Sequence, residues 1–125
     1  MDLIEIQLDA GRATYQPGEV LSGTVSWELA EPASGVEVRL FWYTSGKGST
    51  DVRVVKAVQL ASAGTSGSGR FKFVLPDEPY SFSGRLISLI WALEAVAQPG
   101  ERPRRRDLVV APGGDEVRLA NAGVR

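Results

Sequence analysis

The sequence predicts an all-β chain folded as an antiparallel, two-sheet β-sandwich of immunoglobulin-like type, with about seven or eight strands. Three observations carry that reading. Apolar residues recur with a period of two along most of the chain, as on half-buried strands. Gly, Pro and Ser clusters interrupt the alternation at short intervals, as between the strands of a sandwich. No segment carries a strong amphipathic helical period.

Element by element, Ile4, Ile6 and Leu8 alternate with Glu5 and Gln7 in a first strand, which ends at the Gly11-Arg12 turn. A second turn follows at Gln16-Pro17-Gly18, where Pro and Gly occupy the central positions that tight turns favour. Leu21, Gly23, Val25, Trp27 and Leu29 share one strand face, and Glu31 to Gly35 breaks the run. Val36, Val38, Leu40 and Trp42 form the next face, opposed by Glu37, Arg39, Phe41 and Tyr43. After a Gly/Ser turn, Val52, Val54, Val58 and Leu60 are in phase, while Lys56 breaks the phase and predicts a bulge or a side chain reaching solvent. Ala61 to Gly69 is Gly/Ser-rich and reads as a loop. Phe71, Phe73 and Leu75 then alternate up to Pro76, which lacks the N–H a ladder needs. Leu86 to Ala97 is the longest apolar run, expected as a strand covered on much of both faces, with a helix over Leu89 to Ala97 as the alternative. Short final strands are expected at Asp107 to Ala111 and Glu116 to Leu119. The domain is drawn as residues 1–112 and the C-terminal tail as 113–125. Trp27, Trp42 and Trp91 are in phase with aliphatic neighbours and are expected in the core.

Composition excludes several functions. The chain has 125 residues, enough for one domain with its own core. Lys plus Arg is 14 and Asp plus Glu is 15, giving a net charge of −1, unlike the strongly basic domains that grip nucleic acid. There is no Cys and no His, so thiol nucleophiles, Zn–Cys sites, His-based triads and two-His metal centres cannot be built. No cofactor and no metal are expected. No apolar run reaches ~18 residues, and Met1 to Glu5 lacks the basic and apolar regions of a signal peptide, so the expectation is a cytoplasmic protein without an integral membrane segment.

The motifs that could carry chemistry are few. Gly46-Lys47-Gly48-Ser49-Thr50 fails as a phosphate loop, because Phe41 stands where the first glycine belongs and Gly48 follows the lysine. Asp77-Glu78 and Asp115-Glu116 are adjacent in loops and do not face each other across a cleft, as a hydrolytic pair must. Arg102, Arg104, Arg105 and Arg106 form the dense basic cluster, able to hold an anionic partner through their rigid donor forks, or simply to be solvated beside Glu101 and Asp107. Phe41, Tyr43, Leu86 and Ile90 are out of phase with the expected core and predict an apolar outward patch, either an interface or a surface covered by the tail.

Tyr15-Gln16-Pro17-Gly18-Glu19-Val20-Leu21-Ser22-Gly23-Thr24-Val25 resembles the opening of arrestin-like domains. Phe71-Lys72-Phe73-Val74-Leu75-Pro76, then Pro79-Tyr80-Ser81-Phe82-Ser83-Gly84, then Ile90-Trp91-Ala92-Leu93-Glu94-Ala95 resemble the later stretch of that family. Trp91 stands one place closer to its isoleucine than in many members. The resemblance runs from about Leu3 to Val110, and short sporulation-control or sorting-type members are the nearer comparison. It implies an arrestin-type sandwich and a non-enzymatic adaptor or scaffold that binds protein partners through sheet edges and loops, with a homo-oligomer as a further expectation. The alternative is a sandwich binding a small ligand, a glycan or an anionic headgroup through Arg102 to Arg106. The chain departs from the family pattern in having one domain where arrestins have two. It also lacks a Pro-Pro-x-Tyr motif and any match to the phosphate-sensing basic pair, so receptor binding is not implied.

Overall fold

The computed structural model describes residues 3–46, 50–61, 64–84, 86–98, 103–114 and 117–118. Ten strands follow in order: β1 (Leu3–Leu8), β2 (Thr14–Tyr15), β3 (Val20–Glu28), β4 (Gly35–Gly46), β5 (Val52–Ala61), β6 (Ser66–Val74), β7 (Phe82–Ser83), β8 (Ile87–Gln98), β9 (Arg104–Val110) and β10 (Val117–Arg118). Three of these are two-residue bridges, which leaves seven longer strands and agrees with the strand count from periodicity. No α-helix occurs among the described residues, so the helical alternative for Leu89 to Ala97 is set aside.

The strands form two sheets. The smaller has the order β1-β3-β6. The larger has the order β10-β7-β8-β4-β5, with β9 beside β8 and β2 beside β9. The long pairings are all antiparallel, whereas the short β2–β9 and β10–β7 pairings are parallel. Between the sheets lie Ile4, Ile6, Leu21, Val25, Phe71 and Phe73 from one side and Val36, Val38, Leu40, Leu89, Trp91 and Leu93 from the other, all buried. Each large apolar side chain removed from water in this way stabilises the fold by about 1.5–3 kcal/mol relative to exposure.

β4 and β8 pair over their full length, from Gly35↔Gln98 to Gly46↔Ile87, and make the spine of the larger sheet. β8 is covered on both faces, as its sequence predicts: Leu89, Trp91 and Leu93 face the core, while Ala92 and Val96 on the opposite phase are buried too. Trp91 is wholly buried, but Trp42, its cross-strand partner, is only partly so and packs at the margin of the core.

Two sequence expectations are corrected. The loop read over Ala61 to Gly69 is shorter, because Ser66 to Gly69 already belong to β6 and pair with β3. Glycine serves packing there. Gly67 lies opposite Trp27, and a methyl group at this position would come within 3.1 Å of the indole. At Gly69 a methyl would press on Leu60 at 2.9 Å. The shared phase read for Val52, Val54, Val58 and Leu60 is broken: Leu40 pairs with Lys56 and Phe41 with Val54, so Val55 is an extra, bulged residue beside the exposed Lys56, and Val52 and Val54 fall on the outer face while Val58 and Leu60 stay on the core face.

The chain crosses from the smaller to the larger sheet between Leu75 and Ser81. Leu75 N–H donates to Glu19 O (2.9 Å), and Trp91 Nε1–H donates to Pro79 O (2.9 Å). Ser81 N–H donates to Val110 O (2.7 Å) and Val110 N–H returns a bond to Ser81 Oγ (2.9 Å). Trp91→Ala therefore removes both bulk and a donor and should cost about 3–5 kcal/mol. Trp91→Phe keeps most of the bulk and strands the Pro79 carbonyl, at about 1–3 kcal/mol. Trp42→Ala should cost less than Trp91→Ala. Urea midpoints order the three variants, and an unchanged midpoint for Trp91→Ala contradicts the packing described.

Candidate functional site

Among the described residues a lateral opening of the sandwich lies between β1 of the smaller sheet and the first half of β9 in the larger. The groove there has a volume of about 510 Å³ and is lined by Leu3, Ile4, Glu5, Ile6 and Arg104 to Asp107. Its walls are strand edges. In an antiparallel ladder the backbone groups of successive residues point to opposite sides. The Ile6 carbonyl accepts from Arg106 Nη1 (3.3 Å), across the groove, so Ile4 and Ile6 turn their backbone groups away from β3 and into the opening. On β9, Val109 N–H donates to Ala13 O (2.9 Å) on the β2 side. By the same alternation, Arg105 and Asp107 present their backbone groups to the groove. β2 occupies only the Val109–Val110 end of this edge.

The side chains of β9 alternate likewise. Arg104 and Arg106 share the phase of the buried Leu108 and Val110 and stand at the mouth between the sheets. Neither is in an ion pair with a carboxylate among the described residues. Arg105 goes to the outer face, where its guanidinium lies 4.8 Å from the Tyr43 ring centroid. It also sits 3.7 Å from Asp107, a loose and exposed pair. Arg102 lies outside the described residues. The cluster read from the sequence is thus divided by the pleat, two guanidinia to the groove and one to the outer face.

The expected apolar patch is placed on that outer face and partly withdrawn from solvent. Phe41 is 6% exposed, with its ring centroid 6.0 Å from that of Tyr43. Tyr43 and Ile90 are half-buried cross-strand neighbours. Leu86 alone of the four is open, at 70% exposure, just before β8 begins. Arg39 clamps Glu37 (2.6 Å) and Glu94 (2.8 Å) farther along the same face. Asp77 and Glu78 are exposed in the crossing segment, and Asp115 and Glu116 lie outside the described residues.

The free edge of β5 differs from the β1/β9 opening. Val55 bulges out of register, and Lys56 sits opposite Leu40, on the inward phase of an edge strand. Both devices discourage an incoming strand. Sequence reasoning could not find Ile4 and Ile6 as wall residues, since what they contribute is backbone, and only topology shows that their strand is an edge.

Two polar clusters brace the sheet surface beside the turns. Arg70 reaches from β6 to Asp9 (2.7 Å), which also accepts from Ser22 Oγ (2.7 Å). Arg12 pairs with Glu19, whose carboxylate further accepts from Gln16 N–H (2.9 Å). The Arg70 hydrogen bond, then that of Ser22, lowers the Asp9 pKa to about 2, and the Arg12 bond, then that of Gln16, lowers Glu19 to about 2. Arg12 also lies 4.4 Å from the Tyr15 ring centroid. Burial raises the Tyr15 hydroxyl above the usual tyrosine range.

No protein-family model and no curated protein sequence matches the chain. Among solved structures, Spo0M, a sporulation control protein from Bacillus subtilis, superposes with a TM-score of 0.64 at 16% identity, over 88% of this chain and 49% of that one. The chain thus spans about half the length of Spo0M. A β-glucosidase from Listeria innocua aligns with a TM-score of 0.49 at 11% identity, over 93% of this chain but 16% of the enzyme, and carries no argument. The Spo0M likeness is one of fold: an all-β sandwich.

The two carboxylates fix the sign of the acid response. Their folded pKa values are depressed, so their contribution is complete above the ordinary carboxylate range and is lost as pH falls towards about 2. The melting temperature should decline between about pH 4.5 and 2, and the decline should be shallower in an Arg70→Ala, Arg12→Ala double variant. Equal pH profiles for parent and variant contradict the assignment.

Proposed function

We propose that the chain is a non-enzymatic, arrestin-like protein-interaction module that takes an extended, acid-bearing segment of a partner protein into the β1/β9 groove. One observation carries this: two strand edges with outward backbone groups meet at an opening whose guanidinia, Arg104 and Arg106, have no carboxylate partner among the described residues. A segment lying there in extended form gains main-chain hydrogen bonds from Arg105 and Asp107, while its carboxylates meet the two arginines. The sealing of the β5 edge supports the same choice, since the chain closes one edge and leaves the other open. Likeness to a sporulation control protein is in keeping with a regulatory rather than a catalytic role.

The headgroup reading is less well supported. A compact phosphate needs convergent donors, and the pleat sends Arg105 away from Arg104 and Arg106. A self-associating role would use the exposed Val52, Val54 and Leu86 at the end of the outer face.

Fluorescence anisotropy with a labelled peptide of alternating Glu and Val, against its Gln/Val counterpart, tests the proposal. The acidic peptide should bind more tightly, and its affinity should fall as salt rises. Arg104→Glu should weaken it about tenfold or more, the size of one charge-assisted bond, and Arg105→Glu should weaken it less. Equal binding of both peptides, or no effect of Arg104→Glu, overturns it.

A further inference from the structure

We infer that Arg106 guards the β1 edge, closing it to strands that bring no carboxylate. This concerns the groove of the proposed function, but it rests only on contacts within the chain. Ile4 and Ile6 carry the outward backbone groups of β1, and β1 has neither the bulge nor the inward lysine that blunts β5. A short, apolar-alternating edge of this kind invites pairing with any extended chain. Arg106 answers that hazard. It starts on the larger sheet, opposite the buried Leu93, and its Nη1 reaches across to the Ile6 carbonyl at 3.3 Å. The guanidinium occupies the acceptor that an added strand would use, and its bulk stands in the path such a strand would take.

The position of Arg106 makes it selective as well as obstructive. A neutral strand that displaces it from Ile6 must leave a half-buried guanidinium without an acceptor, which is unfavourable. A strand carrying Asp or Glu supplies a better acceptor than the carbonyl it displaces, because a charge-assisted bond is roughly twice as strong as a neutral one. The same residue therefore excludes neutral strands and admits acidic ones. Arg104 is exposed and makes no bond to β1, so it lacks the first of these roles.

The absence of Cys allows a test that needs no partner. Glu5→Cys places a single thiol on the exposed phase of β1, where antiparallel pairing of two copies through that edge brings the thiols together. With diamide as the two-electron oxidant, disulfide-linked dimer should form about tenfold faster when Arg106→Ala is added, the effect of freeing one edge hydrogen bond. Arg106→Met keeps the apolar stem without the N–H groups and should match Arg106→Ala. Arg106→Lys should stay near the parent rate, and Arg104→Ala should leave that rate unchanged. Circular dichroism confirms that each variant is folded, with Arg106→Met serving if Arg106→Ala is not. Equal rates with and without Arg106, or an equal acceleration by Arg104→Ala, overturn the inference. Because no ligand is present, failure here is separate from failure of peptide binding.

Discussion

The structure depends on one awkward passage, the stretch from Leu75 to Ser81 that carries the chain from one sheet to the other. A crossing segment in a sandwich leaves its ladder, yet its backbone groups still need partners. Here the partners are drawn from three places. The turn before β3 offers the Glu19 carbonyl, the core offers the indole N–H of Trp91, and β9 offers both backbone groups of Val110 to Ser81. Ser81 answers with its backbone N–H and its side-chain oxygen, so one residue does the work of a short strand. Ser81 thus ties the crossing segment to Val110, which meets Tyr15 of β2 on its other side, while the edge of β9 before Val109 has no β2 partner.

That placement converts a pleat into a division of labour. Residues of β9 point alternately to the sandwich mouth and to the outer face, so adjacent arginines have different neighbours. Arg105 stacks on Tyr43, which packs on Phe41, and this layer shields an outer face that would otherwise be apolar. Arg104 and Arg106 meet backbone and solvent instead. A run of like charges in sequence is therefore not a single site in space: the outer member covers a hydrophobic surface, and the inner members line an opening.

Much of the fold was legible because burial writes a period of two. The inward faces of β1, β3, β4 and β6 were all read from alternation, and the double coverage of β8 from its unbroken apolar run. Where the reading erred, side-chain size misled. Ser66 to Gly69 looked like a loop because small residues lack apolar signal, yet Gly67 and Gly69 are small because Trp27 and Leu60 fill the space above them. Phe41 looked exposed because it is out of phase, but a second layer of side chains covers it. The candidate site was half legible. Its charges stood out as an arginine run, whereas its walls are backbone, which alternation cannot label as an edge or a centre. The Val55 bulge likewise became visible only when β4 and β5 were paired.

A two-layer sandwich has a structural reason to treat its lateral openings differently. Each opening exposes one edge from each sheet, and both cannot be left bare without inviting promiscuous pairing. On one side the solution is permanent: the Val55 bulge and the charge of Lys56 blunt the β5 edge, and Leu60 lies against Gly69 of β6. On the other side, among the described residues, β1 and β9 are bridged by one long side chain making one hydrogen bond to a carbonyl. A bulge is part of the backbone and cannot be removed by a ligand. A guanidinium can turn to a better acceptor at the cost of a few rotamers. The asymmetry therefore separates a surface kept shut from one that opens when the incoming chemistry meets the charge of the residue across it.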